Sequence, residues 1–289
     1  MNAWILASRP KTLSAAIVPV LAGTSMAYAE LRHVAWWLFL CALGGSIFIQ
    51  IGTNFVNDAL DFKKGADTAE RLGPLRVTSA GLLTHSAVMR GAWICFIIAA
   101  LLGIPLIMHA GWPLLVIGLM SILAAYAYTG GPYPLAYNGL GELFVILFFG
   151  LIAVGGSYYV QTLSMNVTVL LAGLAIGSLA TVLLAINNLR DAANDRVSSK
   201  RTMAVRFGER FARMEIVAFA LIPFVIAVVL AVLRKSWWLL LVLLALPLTI
   251  ALLRRVRASS GAALNRCLAM SGALQWLFGI LFSIGALLR

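Results

Sequence analysis

The chain has 289 residues, 62% of them hydrophobic and only 11% charged, with a mean hydropathy of +0.97. A soluble domain of this size carries about 25% charged residues, so composition excludes an ordinary soluble fold and points to one all-α integral-membrane domain over residues 1–289. The net charge of +12 is not read as a nucleic-acid footprint, because the basic residues fall in loops between apolar runs, where they orient the chain in a lipid bilayer and can meet anionic lipid or an anionic substrate.

The N-terminus, "MNAWILASRPKTLSAAIVPVLAG", lacks a clear signal-peptide cleavage pattern and reads as a short cytoplasmic segment entering the first span. A helix needs about 20 apolar residues to cross the hydrocarbon core. Nine candidates follow, near 12–30, 35–56, 88–109, 111–130, 139–160, 167–187, 211–233, 236–253 and 267–288. With the N-terminus inside, eighteen of the 22 basic residues fall in inner segments, a strong positive-inside bias. The tryptophan pairs of "HVAWW" and "KSWWL" fall at the outer interface, where amphipathic rings prefer to sit. The expected fold is therefore a nine-helix polytopic bundle with a cytoplasmic N-terminus. Its two long inner loops, 57–90 and 188–213, would cap the cytoplasmic side. They follow the second and sixth spans, an offset that suggests an internal duplication. Cys41, Cys95 and Cys267 lie inside apolar runs without a CxxC, so neither zinc nor a disulfide framework is indicated.

The entrances of the two long loops carry the chemistry. At the end of the second span stand Asn54, Asp58 and Asp61, spaced i, i+4, i+7; Asp67 and Glu70 follow. At the end of the sixth span stand Asn187, Asp191 and Asp195, spaced i, i+4, i+8. Each set lies on one helix face. Ordinary solvated charges, paired with neighbouring Lys and Arg, would explain any single Asp. Matching N-x3-D patterns in both halves point instead to a site. An Asp at the centre of a membrane helix costs about 2.5–3.5 kcal/mol on insertion scales, and intramembrane carboxylates mark function by default. Magnesium suits such a set, since it takes oxygen ligands and combines one or two carboxylates with substrate phosphates. A diphosphate bridging two clusters would be neutralised by Lys63, Lys64, Arg76, Arg190, Lys200 and Arg201.

Such a site in a membrane can ionise an allylic diphosphate, with metal ions stabilising the leaving group and aromatic faces stabilising the carbocation. Tyr126, Tyr128 and Tyr133 of "AYAYTGGPYPLAY" and Phe144, Phe148 and Phe149 are the candidate faces, with core packing the alternative for the phenylalanines. Glu142 is the one carboxylate well inside an apolar segment.

These motifs resemble the UbiA-type intramembrane prenyltransferases, which have nine helices and two aspartate-rich motifs, NDxxDxxxD and DxxxD. "NDALD" at 57–61 matches the start of the first and "DAAND" at 191–195 the second. Gly65 replaces the last Asp of the first motif, and Asp67 comes two residues later. "NDALDFKKGADTAERLGPLRVTSAGLLT", "YTGGPYPLAYNGLGE" and "INNLRDAANDRVSSKRTMAVRFG" are similar to the branch that prenylates 1,4-dihydroxy-2-naphthoate in menaquinone synthesis. The resemblance runs from about residue 8 to 215, more loosely to the end. It implies a polyprenyl diphosphate donor and attack on the allylic cation by the ring carbon bearing the carboxylate. Loss of carbon dioxide and a proton would then give demethylmenaquinol. It also implies magnesium on Asp58, Asp61, Asp191 and Asp195, with Asp67 joining. Asn54 and Asn187 would line the diphosphate site. Lys63, Arg76 and Arg190 would contact diphosphate or acceptor carboxylate, Tyr128 and Tyr133 would line the pocket, and the protein would sit in a bacterial inner membrane with its site facing the cytoplasm. A family member using 4-hydroxybenzoate or a tetrapyrrole is the near rival. A CDP-alcohol phosphatidyltransferase lacks support, since no D-G-x2-A-R core is present. A transporter would place its polar groups near mid-membrane, whereas both clusters here lie at one side.

Overall fold

The computed structural model describes residues 2–65 and 72–288, all helix and connecting turns. Asp67 and Glu70 of the first acidic segment lie outside the described residues. A short helix α1 (Ala3–Ser8) precedes α2 (Ser14–Leu31), α3 (Trp36–Lys63) and α4 (His85–Ala110). Then come α5 (Trp112–Ala127), α6 (Gly141–Thr162), α7 (Val167–Val197), α8 (Met203–Leu233), α9 (Trp237–Ala258) and α10 (Leu264–Leu287). Among the described residues eight helices are long and apolar enough to cross a membrane, while α5, with 16 residues, is a shorter apolar helix.

Several helices outrun the expected spans, and two of them, α3 and α7, carry the acidic residues. Apolar periodicity stops near residues 56 and 187, but neither "NDALDFK" nor "LRDAANDRV" contains Gly or Pro, and Ala, Leu and Arg are good helix formers. So α3 continues to Lys63 and α7 to Val197, carrying the carboxylates on rigid helix rather than on loop. α8 starts at Met203, with the Thr202 hydroxyl accepting from the Val205 amide, and breaks at Gly208, whose φ of 84° suits only glycine.

The bundle has two main packed regions and a small third one around Leu38, Leu106, Leu114 and Val160. The larger core lies among α2, α6, α7, α8, α9 and α10, around Tyr158, Ile176, Phe278 and Phe282. A smaller one joins α1, α3, α4 and α5 around Phe55, Val56 and Phe96. In the larger core α6 meets α7 backbone to backbone. A π-helical stretch, Ile146–Ile152, carries Gly150 against Gly173 and Gly177. A Cβ on Gly150 would lie 2.5 Å from the Gly173 carbonyl oxygen, and one on Gly177 would lie 2.9 Å from the Gly150 Cα. Close approach through small residues is a main source of helix–helix attraction in a membrane, where burial against lipid gains little.

The outer surface is apolar, with exposed Ile97, Leu101, Met108, Leu119 and Val225, as expected of a face in contact with lipid. Trp36, Trp37, Trp112, Trp237 and Trp238 are exposed at the starts of α3, α5 and α9. For α3 this is the end away from its acidic residues. At the same end a polar network ties four helices together. Glu30 pairs with Arg234 at 3.0 Å and accepts the Tyr158 hydroxyl, Asn166 donates to Tyr158 at 2.9 Å, and Arg234 donates to Thr168 at 3.1 Å.

The α6–α7 contact yields a stability prediction. Gly150→Val places two methyl groups against backbone that cannot step aside, a strain of about 1–3 kcal/mol. The expected outcome is a clearly lower thermal unfolding midpoint in detergent. Gly118→Val, at a position with open space around it, leaves the midpoint within a degree or two.

Candidate active site

The acidic ends of α3 and α7 come together at one end of the bundle, joined by a residue from the segment between α5 and α6. The Tyr137 hydroxyl donates to Asp61 Oδ1 at 3.0 Å. The Lys64 ammonium sits over the Tyr137 ring, 4.4 Å from its centre, and Lys200 approaches the same ring at 5.7 Å. Lys200 in turn pairs with Asp195 at 3.7 Å. Asp61 and Asp195 are thus linked through one tyrosine and one lysine.

All four motif aspartates are buried, Asp58 at 1%, Asp61 at 4%, Asp191 at 9% and Asp195 at 6% exposure. Isolated carboxylates could not persist there ionised, and each has a hydrogen-bond or ion-pair partner. Asp58 accepts the backbone amides of Val77 at 3.2 Å and Thr78 at 3.0 Å, so the segment after the first motif folds back onto the end of α3. Buried Arg76, on that segment, pairs with Asp61 at 3.0 Å. Arg190 grips its neighbour Asp191 with two bonds of 2.8 and 2.6 Å. It also donates to Asn187 at 2.7 Å and to Asn265 on α10 at 2.8 Å. Asn265 itself donates to the Leu72 carbonyl, closing a link from α7 through α10 to the segment after α3.

The other expected residues divide. Tyr128 lines an apolar cavity at its acidic end. Asn54 is buried but faces the N-terminal segment, donating to the Ser8 carbonyl at 2.9 Å and to Thr12 Oγ1 at 3.1 Å. Lys63, Tyr133 and Arg201 are exposed; Arg201 contributes through its backbone, its amide donating to the Tyr137 carbonyl at 2.9 Å.

The structure sharpens the sequence reading at three residues. Lys63 and Lys64 are both expected from the sequence to meet the diphosphate and both are largely exposed, but it is the Lys64 ammonium that reaches the site, donating to the Thr129 carbonyl. Partial burial pulls its ammonium below the usual lysine range, with Asp61 pulling the other way. Tyr137 carries no motif signal beyond its place in "YTGGPYPLAY". Glu142, singled out only as an intramembrane carboxylate, accepts from Asn188 at 2.8 Å, while its second oxygen is buried without a partner.

The cavity measures roughly 200 Å³ and lies between α3, α4, α5 and α6. It runs from Tyr128, Thr53 and Gln50 at the acidic end to Leu106, Leu114 and Val160 toward the tryptophan end, and Phe144, Phe148 and Phe149 form part of its wall. Among the described residues no three His, Cys, Asp or Glu side chains converge as a metal cage. The donor set still fits magnesium, which keeps several waters and completes its shell with substrate phosphates rather than with protein alone.

The contrast between Arg190 and Arg201 is testable by stability alone. Arg190→Met leaves a buried carboxylate without its partner, a loss of about 3 kcal/mol, and is expected to lower the unfolding midpoint markedly. Arg201→Met is expected to leave it unchanged.

Comparison with known proteins agrees with this architecture. Residues 16–279 match the UbiA prenyltransferase family. The 1,4-dihydroxy-2-naphthoate octaprenyltransferase of Mycobacterium tuberculosis is 37% identical over 259 residues, covering 89% of this chain and 87% of that protein. The protein of the same name from Bacillus subtilis is 33% identical over 288 residues, covering 99% and 92%. In fold, the chain is similar to a UbiA homolog from Archaeoglobus fulgidus bound to GPP and Mg2+, with a TM-score of 0.69 at 12% identity, covering 99% of this chain and all of that one. It is also similar to the apo UbiA homolog from Aeropyrum pernix K1, with a TM-score of 0.72 at 12% identity, covering 92% and 96%. A helical fold shared from end to end, and relatives above 30% identity over nearly the whole sequence, lead to one conclusion: the chain belongs to the UbiA prenyltransferase family.

Proposed function

We propose that this enzyme transfers a polyprenyl group from polyprenyl diphosphate to 1,4-dihydroxy-2-naphthoate, with loss of the carboxylate as carbon dioxide, in a magnesium-dependent step of menaquinone synthesis. The observation that carries the reading is the joining of two buried carboxylate sets at the mouth of an apolar cavity, through Tyr137, Lys64 and Lys200. Relatives bearing that activity in their names support the choice of acceptor.

The chain's own residues divide the task. Asp58, Asp61, Asp191 and Asp195 would hold the metal, with Asp67 a further candidate. Magnesium, when bound, would supply Lewis-acid stabilisation to the departing diphosphate. Lys64, Lys200 and Arg76 bring positive charge to the same place and suit phosphate oxygens. Asn187 and Arg190 hold Asp191 in place. The apolar cavity accepts the isoprenoid chain, which has no polar atoms to satisfy. The Tyr128 and Tyr137 rings present π faces where positive charge develops at the allylic carbon. The turns at 72–84 and 128–140 cover the acidic end and keep water from a cation it would otherwise capture. The site faces the cytoplasm of a bacterial cell membrane in this reading, because the basic loops share its side of the bundle.

A prenyl-transfer assay on purified protein tests this, with a labelled polyprenyl diphosphate offered with 1,4-dihydroxy-2-naphthoate or 4-hydroxybenzoate. Product from the naphthoate alone, abolished by EDTA and restored by magnesium, is expected. Product from the benzoate alone would keep the chemistry and overturn the acceptor. Asp58→Asn and Asp191→Asn are each expected to lower turnover by at least a thousand-fold while the protein still inserts and folds. Full activity in either would remove the metal site.

A further inference from the structure

No acidic residue follows Glu215 in the sequence, yet the junction of α9 and α10 gathers Arg254, Arg255, Arg257 and Arg266. Arg254, Arg257 and Arg266 are exposed, as is Arg210 near the start of α8. Among the described residues none of these four has a hydrogen-bond or ion-pair partner. Glu209, next to Arg210 in the chain, pairs instead with Arg213 at 3.4 Å. Like charges gathered without a counter-charge repel one another, so the arrangement calls for an anion.

Arg213 holds the ends of two helices together. From α8 it donates to the Val256 carbonyl and to the Ser259 carbonyl at 3.0 Å, closing the last turn of α9. Arg210 lies three residues before Arg213 and so on the same side of α8. It is thereby brought to the end of α9 that carries Arg254 and Arg257. Both helices lead to these arginines along an exposed apolar stripe. On α9 the exposed residues are Leu243, Pro247 and Ile250, then Arg254 and Arg257, steps of three and four that trace one helix face. The opposite face, with Val242, Thr249, Leu252 and Val256, is buried. On α8 the exposed residues Val225, Leu221, Val217 and Met214 lead in the same way to Arg210.

A ligand that matches both features has a hydrocarbon chain and an anionic head. The basic groups are all arginine, whose planar fork meets phosphate oxygens in pairs. The diphosphate substrate is not the occupant, because among the described residues no part of α8 or α9 lines the cavity. We propose that the ends of α8 and α9 bind an anionic phospholipid of the surrounding leaflet. Its phosphate sits on Arg254 and Arg257 with Arg210 beside them, and its acyl chains lie along the stripes that end at Ile250 and Met214. The occupied turn leads into Asn265, which accepts from Arg190 and donates to the Leu72 carbonyl. Fastening the turn therefore steadies the whole acidic end of the bundle.

The test uses the full-length protein in a neutral detergent, titrated with dioleoyl phosphatidylglycerol while the thermal unfolding midpoint is followed. The lipid is expected to raise the midpoint by several degrees, and phosphatidylcholine with the same chains is not. In the double variant Arg254→Gln, Arg257→Gln the midpoint without lipid stays within a degree or two, which reports that it is folded. Its apparent affinity for phosphatidylglycerol is expected to fall about thirty-fold, the loss of two basic contacts with an anionic headgroup. The pair Arg90→Gln, Lys235→Gln removes the same charge elsewhere and is expected to leave the affinity within two-fold. Glycerol phosphate, the head without the chains, is expected to give no shift at the same concentration. An unchanged affinity in the Arg254, Arg257 variant, or an equal loss in the Arg90, Lys235 variant, overturns the proposal. So does the absence of any shift in the unmutated protein. A shift from glycerol phosphate equal to that from the lipid would make this a free-anion site and overturns it as well.

Discussion

Burial of charge at the ends of two membrane helices is the constraint from which the rest of this structure follows. Four aspartates with less than a tenth of their surface exposed must each be matched, because an unmatched buried carboxylate would give up its charge or unfold its surroundings. The matching groups come from widely separated parts of the chain: two backbone amides and Arg76 from the segment after α3, Arg190 from α7 itself, Tyr137 from the connection before α6 and Lys200 from the turn before α8. Satisfying the carboxylates therefore draws three connections onto one end of the bundle. The cover over the acidic end is built by the same bonds that make the charges tolerable.

The two main packed regions serve this end differently. Around α2 and α6 to α10, close backbone contacts at Gly150, Gly173 and Gly177 and the polar network at Glu30 and Arg234 leave little free space. On the other side, α3, α4, α5 and α6 stand apart enough to enclose the cavity. Packing density is thus uneven by design of the side chains. A dense part holds the acidic end of α7 rigid, and a looser part presents an apolar chamber to the acidic end of α3. Catalysis by positioning needs the first, and accommodation of a long apolar substrate needs the second.

Much of this was legible in the residues themselves. Apolar runs long enough to cross a bilayer announced the all-helical membrane fold, and the i, i+4 spacing of Asn54 with Asp58 and of Asn187 with Asp191 marked the two helix ends whose carboxylates the structure brings to one end of the bundle. Helix ends were less legible. Hydropathy falls at residues 56 and 187, where the hydrocarbon is expected to end, but a helix ends only where its backbone is broken or capped, and here that is at Lys63 and Val197. Among the basic residues the sequence offered no way to choose. Lys63 and Lys64 are adjacent, and a helix turns about 100° between them, so one reaches Tyr137 while the other reaches solvent.

The sequence by itself determined the class of fold, the number and spacing of the carboxylates and the apolar character of everything around them, because these depend on local periodicity and on solvent transfer alone. Only the tertiary structure decided which groups satisfy them. It gave Asp58 to backbone amides and Asp61 to Arg76 and Tyr137, and it turned Asn54 to the N-terminal segment. It also left the oxygen of Gln50 buried without a hydrogen-bond partner. Those outcomes depend on direction and distance between segments up to two hundred residues apart, such as Leu72 and Asn265. A hydrogen bond discriminates by tenths of an ångström and by angle, and such geometry exists only once the helices have packed.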